Sequence, residues 1–263
     1  MAASLGTGTL GQLQALIREQ LFPRRHTALL VALVVLFGLR ALIADTGFAP
    51  IAFSIALILV MLISLYNVQV DELIGERDLL LAQRKRRGKI GWLLAIPAVA
   101  ERIALAVVRH HYILVTGLIF WILFFIYITW NEIRAVLKQK EVTGETISLS
   151  ISIYLLIGLT WGMFYMVLFY LQPNAFSFGG SPASGNLSGT ELFPVLVYFS
   201  LTTISTIGFG DITPLTLQAR YAAVAEGITG QFYLAILVAR LVGLYMSRTT
   251  GTDSGAQSTG PEV

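Results

Sequence analysis

Residues 202–211 read TTISTIGFGD and hold the most distinctive chemistry of the chain. Glycine stands at alternate positions, Gly208 and Gly210, with Ile207 and Phe209 interleaved, Thr206 ahead and Asp211 closing the run. No side chain between Thr206 and Gly210 is charged. The polar groups on offer are therefore main-chain carbonyls and one hydroxyl. Neutral carbonyl dipoles in series can replace the hydration shell of a monovalent cation and still let it go, where carboxylates would hold it. Aiming successive carbonyls at one axis needs a backbone that alternates between ordinary and left-handed φ/ψ, and glycine enters the left-handed region at little cost. On this reading Ile207 and Phe209 pack behind the carbonyls, the Thr206 hydroxyl adds a ring of oxygens at the inner mouth, and Asp211 concentrates cations at the outer mouth.

The run resembles the signature of pore-loop potassium channels, T-x-x-T-[VI]-G-[YF]-G-D. Phe209 in place of tyrosine stays within that pattern and leaves the carbonyl ladder intact. The resemblance implies a potassium-selective channel, of the prokaryotic six-span kind, with K+ held at Thr206, Ile207, Gly208 and Phe209. It also implies a pore module over 147–246: an outer helix at 147–171, a re-entrant pore helix at 191–204, the filter at 206–210 and an inner helix at 214–246. The segment YFSLTT, residues 198–203, is similar to the Y-F-S-x-x-T of such pore helices, which singles out Ser200, Thr202 and Thr203. Packing or bonding to the backbone is the expected role for Ser200 and Thr203. One filter per chain requires four copies around an axis, so a homotetramer is expected.

The elements that must position this run are membrane-grade. Of 263 residues, 56% are hydrophobic and 13% charged, about half the charged share of an ordinary soluble domain. Apolar runs of roughly 20 residues suffice to cross a bilayer. The expected fold is all-α, with six transmembrane helices: 27–44, 49–66, 90–108, 111–130, 147–171 and 214–246. Residues 1–26 form an amphipathic lead, 27–130 a four-helix region with a charged loop at 67–89, 131–146 a polar linker and 247–263 a disordered tail. The third span is the weakest, interrupted by Pro97, Glu101 and Arg102. With both termini in the cytoplasm, the cluster at 84–89 and the basic residues Arg134, Lys138 and Lys140 all fall inside, as positive residues prefer. That parity holds only if the third span crosses. A multi-pass bacterial inner-membrane protein in contact with lipid is the expected setting.

The inner helix carries further candidates. Pro214 suits its first turn. Gly230 lies nineteen residues past Asp211, and mid-helix glycine costs about 1 kcal/mol against alanine, so Gly230, or Gly227 in its stead, is a candidate hinge or packing glycine. Leu234 and Val238 follow from Gly230 at i+4 steps and are candidates to line a cavity. Glu226 is a candidate filter support, bonded to a pore-helix hydroxyl such as Thr202 or Thr203, with a neutral glutamic acid in a helix contact as the alternative, and Arg240 is expected to snorkel to headgroups. Thr190 is the expected cap of the pore helix. The fourth span holds no Arg or Lys between His111 and Trp130, so no voltage-sensing ladder is present there. The His110–His111 pair could sense pH. The absence of cysteine excludes disulfides and cysteine-ligated metal. The acids Glu101 and Glu132 lack metal-ligand spacing. Neither an enzyme, a cofactor beyond permeant K+, nor a nucleic-acid or small-molecule substrate is expected. The rivals are a weakly selective cation channel and, from another class, a cation transporter or uptake subunit.

Overall fold

A computed structural model describes residues 24–43, 46–74, 89–101, 111–139, 141–172, 174–179 and 189–253. Their order is α1 (Arg25–Leu42), α2 (Ala49–Ile74), helical residues at 89–101, α3 (His111–Lys138), α4 (Gly144–Leu171), β1 (Phe176–Phe178), α5 (Gly189–Ile204), β2 (Ile212–Pro214) and α6 (Leu217–Asp253). The lead at 1–23, most of the loop at 67–89, the end of the third span, His110, Lys140, the glycine-rich stretch before α5 and the tail from 254 lie outside the described residues.

Among the described residues, four helices are long and apolar enough to cross a membrane: Ile51–Val70, Ile113–Lys138, Gly144–Leu171 and Leu217–Met246. Arg25–Leu39 and Glu191–Ile204 are apolar but shorter. The fold is thus helical and points to an integral membrane protein.

Helix boundaries differ from the expectation where caps outweigh hydropathy. Residues 131–138 continue α3 as helix rather than starting a linker. They keep an apolar stripe: Ile133 and Val136 join a small core with Leu149, Ile153, Ile157 and Ile204, so burial extends the helix past its polar residues. At α4 a Thr143–Thr146 capping box fixes the first turn. Pro214 does not start the inner helix. It ends β2, and Thr216 becomes the cap, accepting the Ala219 N–H at 3.3 Å. Because α5 begins at Gly189, Thr190 lies within it rather than at its cap, and Pro194 sits beyond the first turn. The helix also runs past 246 into the expected tail, to Asp253.

One core joins the N-terminal helices to α4 and α5, with Leu29, Trp121, Phe124, Tyr165 and Leu196 in the same cluster. The start of α1 lacks a side-chain cap of its own. Glu145 from α4 takes that role, accepting the His26 N–H at 3.0 Å and the Thr27 hydroxyl. A carboxylate at a helix N-terminus is stabilised by the free amides and the dipole there. The two strands, β1 and β2, pair antiparallel in the register Phe176 with Pro214 and Phe178 with Ile212.

Candidate functional site

The sequence from Thr206 to Gly210 is exposed at the end of α5. Its backbone alternates as the carbonyl argument requires: φ is positive at Thr206 (60°), Gly208 (51°) and Gly210 (79°), and not at Ile207 or Phe209. The glycines adopt this at little cost, while Thr206, β-branched, is strained there by about 1–2 kcal/mol. The periodicity of glycine identifies two of the three left-handed positions. Thr206 is the one it misses, because threonine carries no such signal.

What holds the segment is the last turn of α5. The Thr202 carbonyl accepts from Ile207 N at 2.9 Å and from Gly208 N at 3.1 Å, and the Thr203 carbonyl accepts from Thr206 N at 3.0 Å. These tie the segment's amides back to the helix. Among the described residues no backbone N–H donates to the carbonyls of 206–210, so those oxygens remain available to a ligand. On the far side, Gly179 N donates to the Asp211 carbonyl at 2.6 Å and Leu215 N to the Ala175 carbonyl at 2.8 Å. Together with the β1–β2 pair, these bonds clamp the exit of the segment to the chain that follows α4. The Phe209 ring stacks on Tyr198, 6.3 Å between centroids and nearly parallel. Ile207 is exposed.

Glu226 is fully buried and lies behind α5. The Tyr165 hydroxyl of α4 donates to it at 2.6 Å, and the Ser200 hydroxyl of α5 also donates to it. Ser200 Oγ lies 2.6 Å from the Gly158 carbonyl as well, so its one proton faces two acceptors. Three helices thus meet at one carboxyl group. The hydroxyl from this helix is Ser200 rather than Thr202 or Thr203: both of those bend back to the Phe199 carbonyl, at 2.9 and 2.8 Å. That local bond outcompetes a distant one. Ser200 makes the backbone bond expected of it, to the Gly158 carbonyl, and reaches the Glu226 carboxyl as well. Tyr165, one aromatic among many on α4, gives no sequence signal for this role. Its ring packs edge-on against Phe176 and Phe199.

The glycines separate cleanly. A Cβ on Gly230 would sit 2.5 Å from Ile204 Cγ1 and 2.7 Å from the Ile204 carbonyl oxygen, whereas one on Gly227 would meet nothing within 4 Å. Gly230 is therefore a close-approach position between α6 and the end of α5. Leu234 and Val238 are exposed on α6. Arg240 does not snorkel: its Nη2 donates to the carbonyls of Val136 (3.2 Å), Leu137 and Gln139 (3.0 Å), completing the open C-terminal carbonyls of α3. Tyr233 adds a second tie, its hydroxyl donating to the Ser150 carbonyl of α4 at 2.6 Å.

Within one chain α6 is almost unpacked. Only 6% of a membrane-length window is buried, against 56% for α4. Phe232, Ile236, Val242 and Met246 are all exposed. Among the described residues no group of His, Cys, Asp and Glu is placed to hold a metal.

Residues 153–247, which span this arrangement, match the family described as "Ion channel". Protein LctB of Bacillus caldotenax is 34% identical over 90 residues, covering 34% of this chain and 64% of that protein. Protein LctB of Geobacillus stearothermophilus is 32% identical over 84 residues, covering 32% and 60%. Two-pore potassium channel 4 of Arabidopsis thaliana is 40% identical over 62 residues, covering 23% and 22%. The chain thus spans less than two thirds of the length of each of these relatives. No solved structure matches.

Proposed function

We propose that the chain forms a potassium-selective channel, in which four copies bring residues 206–210 around one axis. The observation that carries this reading is the alternation of φ at Thr206, Gly208 and Gly210 in a segment whose carbonyls accept no backbone bond. Such a segment can present a column of neutral oxygens. K+ would lose its water to the carbonyls of Thr206, Ile207, Gly208 and Phe209, with Asp211 raising its concentration at the mouth. The C-terminal end of α5, at Ile204, directs its negative dipole toward an ion on the inner side. The names of the relatives add weight: one is a potassium channel.

The tetramer is supported by the exposure of the filter segment and of the apolar faces of α6. Neighbouring copies would bury both, and Leu234 and Val238 would then face a shared cavity. Six crossings, with α1 and the helix starting at 89 as the two shorter ones, give the topology that keeps the basic loops on the cytoplasmic side of a bacterial inner membrane. In this arrangement the carboxyl group of Glu226, with Tyr165 and Ser200, braces the filter from behind.

The test is potassium flux into vesicles carrying the purified chain, with barium as blocker. Barium-sensitive uptake that Gly208→Asp abolishes is the expected result. Uptake indifferent to both barium and the substitution refutes a carbonyl filter at these residues.

A further inference from the structure

Three oxygen–oxygen contacts converge where Glu226 meets α4 and α5. The Tyr165 hydroxyl lies 2.6 Å from Glu226 Oε2, Ser200 Oγ is hydrogen-bonded with Glu226 Oε1, and that same Oγ lies 2.6 Å from the Gly158 carbonyl oxygen. Oxygens this close attract only with a hydrogen between them. Three contacts therefore need three hydrogens. Tyr165 supplies one and Ser200 one, and a backbone carbonyl supplies none. The third has to come from the carboxyl group itself. Charge leads to the same answer. Glu226 is fully buried on α6, and an ionised carboxylate buried in a membrane-spanning helix is costly unless paired. Neither α4 nor α5, the helices bonded to it, contains a Lys, Arg or His. The titratable groups that face it are the phenols of Tyr165 and Tyr154, both on α4. On α6 itself the nearest cations stand six residues before it, at Arg220, and fourteen after, at Arg240, whose guanidinium is taken up by carbonyls at the end of α3.

We infer that Glu226 holds a proton and donates it to Ser200, closing one directed chain of hydrogen bonds from the Tyr165 hydroxyl to the Gly158 carbonyl. In this chain Oε2 accepts from Tyr165, the Oε1 hydroxyl donates to Ser200 Oγ, and Ser200 is free to donate to Gly158. Each hydrogen is used once, and α4, α5 and α6 are joined. Loss of the proton turns the Ser200 hydroxyl toward the carboxylate and leaves two oxygens facing each other, with no hydrogen between them, across the α4–α5 contact. The junction is thus a proton-operated lock, which acid closes and alkali loosens. It sits close to the anchor of residues 206–208, since the Thr202 and Thr203 carbonyls that hold them follow Ser200 by two and three residues. The inference rests on the contacts of α4, α5 and α6 and is independent of potassium conduction.

The full chain, isotope-labelled at its glutamate carboxyl carbons, is placed in lipid vesicles, and infrared difference spectra are taken against Glu226→Gln at neutral pH. The expected difference is the C=O stretch of a carboxylic acid. Tyr165→Phe removes the donor to that oxygen and should move the band to higher frequency. Should Glu226→Gln fail to fold, the shift in Tyr165→Phe identifies the band by itself. The antisymmetric stretch of a carboxylate at neutral pH overturns the inference, and so does an acid band that Tyr165→Phe leaves in place. A second measurement counts protons. An unfolded glutamate is ionised above its ordinary value of about 4.3, so folding takes up one proton per chain and stability falls as pH rises. For each pH unit between about 5 and 7, the unfolding equilibrium constant per chain should rise about tenfold in the unsubstituted protein relative to Glu226→Gln. A ratio that stays constant over that range overturns the inference. Neither measurement uses ion flux, so failure here is distinguishable from failure of the channel reading.

Discussion

Tyr165→Phe removes a single oxygen and leaves the rest of a large aromatic contact in place. The ring still meets Trp161, Phe176 and Phe199 at centroid distances of 5.0–6.0 Å, so packing losses are small. What goes is the 2.6 Å bond to Glu226, in a site from which water is excluded. Leaving a buried polar group without its hydrogen-bond partner costs about 1–3 kcal/mol. The Ser200 hydroxyl cannot compensate, because the Gly158 carbonyl also needs its proton. Each chain should therefore lose roughly 1–3 kcal/mol of unfolding free energy, seen as a lower midpoint in a denaturant titration of the detergent-solubilised protein. Glu226→Gln is the informative companion. A carboxamide can accept from Tyr165 with its oxygen and donate from its NH2 to Ser200, freeing that proton for Gly158. It should cost less than Tyr165→Phe, and the double variant should show coupling above about 0.5 kcal/mol. A Tyr165→Phe variant as stable as the parent, strictly additive with Glu226→Gln, would mean that the carboxyl group does not join the three helices.

The glycines of α6 give a paired prediction. Gly230→Ala should destabilise by about 1–3 kcal/mol through overpacking against the Ile204 backbone, whereas Gly227→Ala should be neutral or stabilising by up to about 1 kcal/mol; equal effects in a thermal melt would contradict the packing distances. Arg240→Gln should expose the final carbonyls of α3, and faster amide hydrogen exchange over 133–139 with little change in α5 is the expected pattern. Gly208→Ala places a side chain where φ is +51° and space is open; the strain is about 1 kcal/mol or more, so the chain should fold and assemble yet lose ion selectivity, which parallel flux and melting measurements would separate.

How far the sequence leads is clearest at residues 202–211. TTISTIGFGD specifies the segment because its chemistry is in the main chain, and glycine spacing is a direct record of backbone conformation. Thr206 escapes that logic, as its left-handed φ is imposed by the bonds to Thr202 and Thr203. The partner of Glu226 is legible only to the level of a hydroxyl on the helix preceding residue 206. Choosing Ser200 over Thr202 or Thr203 needs the rotation of α5 relative to α6, which spacing within one helix does not encode. The short strands escape notice for a related reason: Phe176–Phe178 and Ile212–Pro214 are three residues each, too short for periodicity, and defined only by each other. Hydropathy likewise stops α3 at Trp130, while tertiary burial of Ile133 and Val136 carries it to Lys138. Arg240 reads as a residue seeking lipid headgroups because the carbonyls that receive it lie about a hundred positions away in sequence.

The most direct measurement is the reversal potential of currents through the purified chain in a planar bilayer, with potassium on one side and sodium on the other. A carbonyl-lined filter at 206–210 requires a reversal close to the potassium equilibrium potential, with current lost in Gly208→Asp. A reversal near zero would leave a pore without potassium preference, and the central claim would be wrong.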